Sequence, residues 1–294
     1  MTSDNAPRGI LAAAAAFSLW GLFPLYWNLV GDVPPLQVLA HRGLWCAVAV
    51  GAVLVVRRDL AWIRSLPLRE LGLLALGGLL LTANWGVYVW AVMNGHVVDT
   101  SLGYYITPLI NVLLAVLVFR ETLTRMQRAA VFVAATGVTL LGVGLGHPPW
   151  IALALALSFG LYGLVRKLVV IDAMRGLAVE SSLMMLPALA YLIWCEYTGQ
   201  GHFLHGATRS DVLMVLGGPV TAVPLALFAW GARRIPMLAL GVMQYIAPTI
   251  QLLLGVLLFH EPFGGGRAVA FGLIWVALAL FTGEALWRYR AASR

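Results

Sequence analysis

The chain has 294 residues, of which 61% are hydrophobic and 11% are charged, whereas an ordinary soluble domain carries about 25% charged residues. A core of this size cannot bury so much apolar surface, so the excess must face lipid, which excludes a soluble globular domain. The formal charge of +7 is typical of a nucleic-acid binder. The basic residues lie between apolar stretches and form no patch, however, which favours a membrane protein without a nucleic-acid partner.

Ten apolar stretches are long enough to cross a bilayer, which takes about 20 helical residues. The first is too long for the hydrophobic part of a secretory signal and lacks a clear cleavage site, so we interpret it as a true span. Because the connections are short, neighbouring helices are expected to be antiparallel in one all-α bundle. The stretches cover residues 8–30, 36–56, 69–93, 100–119, 127–146, 149–168, 177–197, 211–231, 238–259 and 267–287.

The lysines and arginines are distributed unevenly between the two sides of this bundle. If the N-terminus is cytoplasmic, 16 of the 19 basic residues fall in cytoplasmic segments, and Arg42 lies within the second span. Only Arg209 and Arg267 fall on the opposite side. This bias predicts a multi-pass protein of a bacterial-type inner (plasma) membrane with both termini in the cytoplasm.

The two halves of the chain are similar at an offset of 140 residues. Residues 101–121 align without gaps with residues 241–261, and ten of the 21 positions are identical. Shared Tyr, Pro and Glu are more informative here than shared Leu or Val, which are common in membrane helices. The informative pairs are Tyr105 and Tyr245, Pro108 and Pro248, Glu121 and Glu261, with Phe119 and Phe259 beside them and Phe17 and Phe159 at a similar offset.

The repeat predicts two five-helix units, residues 1–146 and 147–294, that form one transport unit. Because five is an odd number of spans, the second unit must have the opposite topology to the first. Inverted repeats place a substrate site near the bilayer midplane, at the interface between the repeats. They also let the two halves exchange conformations, which favours a transporter over a membrane enzyme or a receptor.

Two ionisable residues, His41 and Arg42, lie about two turns into the second span, where a charge costs several kcal/mol. Arg42 either reaches the interface or bonds to a carbonyl and holds helices together, or it is a cavity group that meets an anionic or carbonyl-bearing substrate. His41 is either a neutral interfacial side chain or a carrier of the coupling proton.

Uncharged polar and aromatic residues recur within the spans of both halves. Such groups suit an amphipathic organic solute, although each of them could equally serve interhelical hydrogen bonding. With Arg42, the predicted lining of the path consists of Trp20, Asn84, Trp85, Tyr88, Tyr105, Asn111, Gln244, Tyr245 and Gln251.

Prolines and acidic residues give further candidates for gating and coupling. Pro108 and Pro248 should bend their helices, either as gating elements or as static packing kinks. Glu121 and Glu261 follow the fourth and ninth spans and are expected to pair with basic residues, Arg267 in the case of Glu261. Glu180 is either a cavity acid or an interfacial salt-bridge partner, with Arg175 as its nearest cation in the sequence.

Motifs for other chemistries are absent from the sequence. There is no Walker A sequence for ATP hydrolysis, and there is no G-x-S-x-G or H-E-x-x-H of a hydrolase. Cys46 and Cys195 lack metal-ligand spacing and are not expected to form a disulfide, and His202 with His205 is a weak metal signal. We therefore predict neither an enzyme nor a metal site, and no cofactor.

Short motifs spread over nearly the full chain form a recognisable set: Trp20-Gly21, His41-Arg42, Asn84-Trp85, Trp90-Ala91-Val92, Ser101-Leu-Gly-Tyr104, Asn111, Tyr162-Gly-Leu-Val-Arg-Lys167, Gln244-Tyr-Ile246, Pro248 and Ile274-Trp-Val-Ala-Leu278. Through these motifs the chain resembles the EamA branch of the drug/metabolite transporter superfamily, in particular the RarD type. This resemblance implies ten membrane helices with cytoplasmic termini, an inverted repeat, and efflux of small drugs or metabolites, with a link to chloramphenicol sensitivity.

The sequence thus predicts a secondary transporter that exports a small organic solute, amino-acid-like or otherwise, by alternating access. The alternative is a membrane-embedded enzyme or a receptor-like binding protein. The expected partners are the solute, the lipid bilayer and a coupling proton, in a monomer or a homodimer.

Overall fold

The structure is a computed structural model that describes residues 6–31, 33–59, 61–120 and 122–292. In this part of the chain, ten helical segments are long and apolar enough to cross a membrane, which confirms the predicted all-α architecture. The helices are α1 (Ala6–Val30), α2 (Pro35–Val56), α3 (Leu68–Met93), α4 (Val97–Phe119), α5 (Arg125–Leu145), α6 (Trp150–Leu168), α7 (Ala173–Tyr197), α8 (Thr208–Ala232), α9 (Met237–Met243), α10 (Ile246–Leu253) and α11 (Gly266–Ala292).

Local signals in the sequence determine where several of these helices begin. Pro35 is the first residue of α2, where a missing backbone N–H costs nothing. Thr124 and Gln127 form a capping box at the start of α5. The Asp172 carboxylate accepts the backbone N–H groups of Met174 and Arg175 and so caps α7. A helix pairs most of its backbone N–H and C=O groups internally, which a hydrocarbon environment requires.

The ninth span is the least regular. It consists of α9, α10 and a π-helical turn, Leu254–Leu258, and its α-helix is interrupted at Gln244 and Tyr245. The interruption precedes Pro248, whereas α4 continues as an α-helix through Pro108. The two prolines therefore occupy different local structures.

Helix pairs from the two halves of the chain form the bundle. Helix α3 packs on α6 and α7, α2 packs on α7 and α8, and α1 packs on α8 and α10. Helix α4 packs on α6 and α10, and α5 packs on α11. Exchanging the first five spans with the last five maps these pairs onto one another: α3–α6 becomes α8–α1, α4–α6 becomes α10–α1, and α2–α8 becomes α7–α3.

Small residues allow the close approach of these helices, as is usual in membrane bundles. A Cβ atom at Gly103 of α4 would lie 2.9 Å from the Ala152 carbonyl oxygen of α6, and one at Gly231 of α8 would lie 2.8 Å from the Gly9 carbonyl oxygen of α1. These backbones touch because no side chain separates them.

The connections between antiparallel spans lie at two ends of the bundle. We call one the Glu261 end; it holds the connections that follow α1, α3, α5, α7 and the π-helical turn. We call the other the Arg175 end; it holds the connections that follow α2, α4, α6 and α8. At the Arg175 end, Arg175 donates two hydrogen bonds to the Asp59 carboxylate, at 2.7 and 3.0 Å, and joins α7 to the segment after α2.

Candidate functional site

Arg42 lies in the interior of the bundle and is 3% exposed. Its Nε–H donates to Thr221 Oγ1 of α8 at 3.1 Å, and its Nη1 has no hydrogen-bond partner within the described structure. Among the described residues, no Asp or Glu oxygen lies within 4.0 Å of the guanidinium. Arg42 is therefore a buried cation that has an unused hydrogen-bond donor at Nη1.

Aromatic rings surround this guanidinium and take the place of a counter-ion. The Arg42 Cζ atom lies 4.1 Å from the ring centroid of Trp85, 5.0 Å from that of Trp27 and 5.5 Å from that of Phe23. The negative face of an aromatic ring attracts a cation, most strongly when water is excluded. We call Phe23, Trp27, Trp85 and Thr221 the Arg42 box. Of these four residues, Trp85 alone was predicted from the sequence.

An amide network connects the helices next to this box. Asn84 Nδ2 of α3 donates to the Leu155 carbonyl at 3.1 Å and to Ser158 Oγ at 3.0 Å, both on α6. The Tyr104 hydroxyl donates to Asn84 Oδ1 at 3.4 Å, and the Tyr104 ring lies 5.8 Å from that of Tyr88. Asn84 therefore holds α3, α4 and α6 together.

Gln251 makes the equivalent connection on the other side. Its Nε2 donates to the Trp20 carbonyl at 3.3 Å and to the Tyr88 hydroxyl at 3.5 Å, and its Oε1 accepts from Thr100 Oγ1 at 3.4 Å. Helices α1, α3, α4 and α10 thus meet at one amide. We call Trp20, Asn84, Tyr88, Tyr104 and Gln251 the central cluster.

Four other predicted lining residues lie outside the central cluster. The Tyr105 hydroxyl shares a hydrogen bond of 2.6 Å with Thr249 Oγ1, and its ring stacks on that of Tyr245 at 6.2 Å, in a region packed against α11. Asn111 is exposed on the second half of α4, and Gln244 is half-buried at the break in the ninth span.

His41 is buried beside Arg42, and neither of its ring nitrogens has a hydrogen-bond partner in the described structure. Its ring lies 4.7 Å from that of Phe203, in the connection between α7 and α8. His41 is therefore buried under the α7–α8 connection, which lies at the Glu261 end of the bundle.

Glu180 is 1% exposed and pairs with residues of α6. It accepts a hydrogen bond from the Tyr162 hydroxyl at 3.1 Å and one from Arg166 Nη1 at 3.4 Å. Arg175, the nearest cation in the sequence, pairs with Asp59 and Asp172 instead. Glu180 is therefore a buried salt-bridge partner of Arg166, a pairing that sequence proximity did not reveal.

Glu261 does not pair with Arg267 as predicted. Its two carboxylate oxygens accept the backbone N–H groups of Val97 at 2.6 Å and Val98 at 2.8 Å, the first two residues of α4. Arg267 donates to Asp99 Oδ2 at 3.4 Å. Burial raises the pKa of the Glu261 carboxyl, and the two N–H groups partly oppose this. The expected basic partner was wrong because the N-terminus of a distant helix takes that role.

Three other predictions concern the two cysteines, the histidines of the α7–α8 connection and Glu121. Cys46 and Cys195 are buried free thiols. His205 Nε2 lies 2.8 Å from Glu196 Oε2, so this histidine has a carboxylate neighbour. Glu121 lies outside the described residues.

In the part of the chain that the structure describes, ten apolar helices around a buried cation, an amide network and aromatic rings define a polytopic α-helical membrane protein. The chain belongs to the EamA-like transporter family, whose sequence model matches residues 7–143. It is 42% identical over 290 residues to "Protein RarD" of Streptomyces exfoliatus, and the aligned region covers 97% of this chain and 92% of that protein. It is 43% identical over 288 residues to "Uncharacterized transporter YojE" of Bacillus subtilis, which covers 96% of each chain.

A solved structure titled "Crystal structure of protein" has the same fold. Its TM-score is 0.60 at 20% sequence identity, over 94% of this chain and 97% of that one. At this level of identity the likeness concerns the fold alone.

Proposed function

We propose that this membrane protein is a secondary transporter that moves a small organic solute across a bacterial-type inner membrane by alternating access, in the direction of export. The observation that carries the proposal is the unpartnered Nη1 of the buried Arg42. A buried charge without a partner is costly, and a bound carboxylate or carbonyl group would supply the missing acceptor. The rings of the Arg42 box would bind the apolar part of the same solute.

The arrangement of helices supports alternating access. The helix pairs map onto one another when residues 1–146 and 147–294 are exchanged, as expected of an inverted repeat. Residues that the repeat places opposite each other are nevertheless buried to different extents. Phe17 is 7% exposed, whereas its repeat partner Phe159 is 39% exposed. Gln251 is 2% exposed, whereas its repeat partner Asn111 is exposed. Such asymmetry is what one access state of a pseudo-symmetric transporter would have.

The asymmetry also supports an opening along one face of α6. Phe159 lies on the face of α6 between the contacts with α3 and α4, and its ring is 6.2 Å from that of Tyr104. Its exposure supports an opening between α3, α4 and α6. With the basic residues in the cytoplasm, the Glu261 end would face outward, and the termini would lie inside.

We also propose that movement of the solute is coupled to movement of a proton. His41 and Glu180 are the buried titratable candidates, and Pro108 and Pro248 are candidates for the bending positions of the fourth and ninth spans. The alternatives are a membrane-embedded enzyme and a receptor-like binding protein. The family relatives named as transporters favour transport over both.

A ligand-stabilisation screen on purified protein tests the binding site. Because a ligand that binds the folded state raises its melting temperature by mass action, matched pairs of small aromatic carboxylates and their methyl esters would be compared, with chloramphenicol as an uncharged probe. We expect at least one carboxylate to stabilise the protein more than its ester, and Arg42→Met to remove that difference. Equal effects of acid and ester in every pair would contradict the assignment to Arg42.

A further inference from the structure

Glu261 connects two helices that belong to opposite halves of the chain. Its carboxylate follows the ninth span and accepts both N–H groups at the start of α4, 163 and 164 residues away in the sequence. It is 8% exposed. The first N–H groups of a helix have no partner within that helix, and a carboxylate at this position is favoured by the helix dipole.

The contacts between α4 and the ninth span are concentrated near this cap. Ser101 Oγ donates to the Pro248 carbonyl at 2.7 Å, and a Cβ atom at Gly255 would lie 2.8 Å from Val98 Cγ2. Among the described residues, the hydrogen bonds between these two spans join residues 97–105 to residues 248–261. Toward the Arg175 end, α9 packs on α1 and α11, and Asn111 of α4 is exposed.

The two spans therefore touch along the half that is nearest to the Glu261 end. We propose that the Glu261 carboxylate is a latch that holds α4 and the ninth span together at this end, and that its release from the α4 N-terminus lets the two spans separate there and opens the bundle to the solvent at this end. The inference rests on the proposed transport function, because it assigns a closing element to one of the two access states. Pairing between Asp99 and Arg267, which joins α4 to α11 nearby, supports the same closure.

Cysteine labelling tests the latch without a substrate. In a background with Cys46 and Cys195 replaced by Ala, Phe159→Cys places a reporter thiol on the face of α6 between its contacts with α3 and α4. A membrane-impermeant maleimide is then applied to right-side-out and to inverted vesicles. With Glu261 present, we expect labelling mainly from the Arg175 end. Glu261→Ala should raise labelling from the Glu261 end about fivefold, the change in an equilibrium that loss of one helix cap produces.

Two further variants keep this test decisive. Val97→Pro removes one of the two N–H donors at a helix position that tolerates proline, and it should have the same effect as Glu261→Ala if that variant does not reach the membrane. Glu196→Gln is the matched control, because Glu196 is an exposed carboxylate at the same end that pairs with His205. It should leave the labelling unchanged.

The outcomes separate the latch from the transport function. Unchanged labelling from the Glu261 end in folded Glu261→Ala or Val97→Pro protein would overturn the latch, even if the wild-type protein transports a solute. Increased labelling in a protein that transports nothing would retain the latch as a conformational element and count against the transporter.

Discussion

Arg42 and Thr221 form a hydrogen bond of 3.1 Å between α2 and α8, across the two halves of the chain. The bond uses Nε and leaves Nη1 of the same guanidinium unpartnered. Arg42 thus has a structural contact on one side and an unused donor on the other. Because the two sides of the guanidinium differ in this way, substitutions at Arg42 and Thr221 should affect protein stability and ligand binding differently.

Arg42→Met should separate the two roles. Replacing a buried charge with an apolar side chain of similar volume is often neutral or stabilising, so we expect the melting temperature to stay the same or rise while ligand stabilisation is lost. Thr221→Val is the matched control; it leaves a second buried donor unpaired and should cost about 1–3 kcal/mol. Retained ligand stabilisation in folded Arg42→Met would argue against the site.

Asn84→Ala should weaken the central cluster. The substitution leaves Ser158 Oγ and the Leu155 carbonyl without the amide donor, and interhelical hydrogen bonds in membranes contribute about 0.6 kcal/mol each on average. We expect a loss of about 1 kcal/mol in unfolding free energy and strongly reduced transport. Thermal unfolding and vesicle uptake measure the two effects. Transport at the wild-type rate would show that Asn84 is structural alone.

The Glu180–Arg166 pair should show strong coupling in a double-mutant cycle. Glu180→Met and Arg166→Met each remove one charge of the pair, and breaking a buried ion pair costs about 3–5 kcal/mol. The double variant Glu180→Met with Arg166→Met should recover most of that loss. Additive effects of the two single changes, measured by denaturant or thermal unfolding, would mean that the pair does not interact.

Gly103→Ala should separate α4 from α6. A Cβ atom there would lie 2.9 Å from the Ala152 carbonyl oxygen and 3.0 Å from Leu155 Cβ, and overpacking of this kind costs about 1–3 kcal/mol. Gly51→Ala in α2 is the control, since its Cβ would meet nothing within 4 Å. Equal melting temperatures for the two variants would contradict the close packing of α4 on α6.

The pH dependence of protein stability should show the effect of the raised Glu261 pKa. Burial raises the pKa of this carboxyl above its usual value of about 4.3, so the folded protein binds the proton more tightly than the unfolded chain does. The stability of the wild type relative to Glu261→Gln should therefore increase as the pH falls through the raised pKa toward about 4.3. His96, Asp99 and Arg267 lie nearby and are present in both proteins. A relative stability that decreases on acidification in a melting-temperature series would contradict this sign.

The sequence predicted the helices well because a spanning helix needs a long apolar run, and that requirement is local. It did not predict the interruption at Gln244 and Tyr245, since Pro248 suggests a break but not its position. Nor did it find Thr221, an ordinary hydroxyl residue 179 positions from Arg42.

Pairings between distant helices were the least predictable feature of the site. Glu180 and Glu261 were interpreted through cations close in the sequence, yet Arg166 and the N-terminus of α4 are their partners. Asn84, Tyr88 and Gln251 were predicted as members of one polar set within the spans, and the structure brings them together with Trp20. Helix spacing shows which residues share a face, but the partner of that face depends on how the helices pack.

The central claim is that Arg42 binds a solute that the protein moves. The direct test is uptake into proteoliposomes of the carboxylate found by the stabilisation screen, with the wild type and Arg42→Met compared at equal amounts of folded protein. We predict saturable flux of a chemically unchanged solute in the wild type and none above protein-free liposomes in Arg42→Met. Equal flux in the two proteins, or recovery of a covalently altered product, would contradict the account.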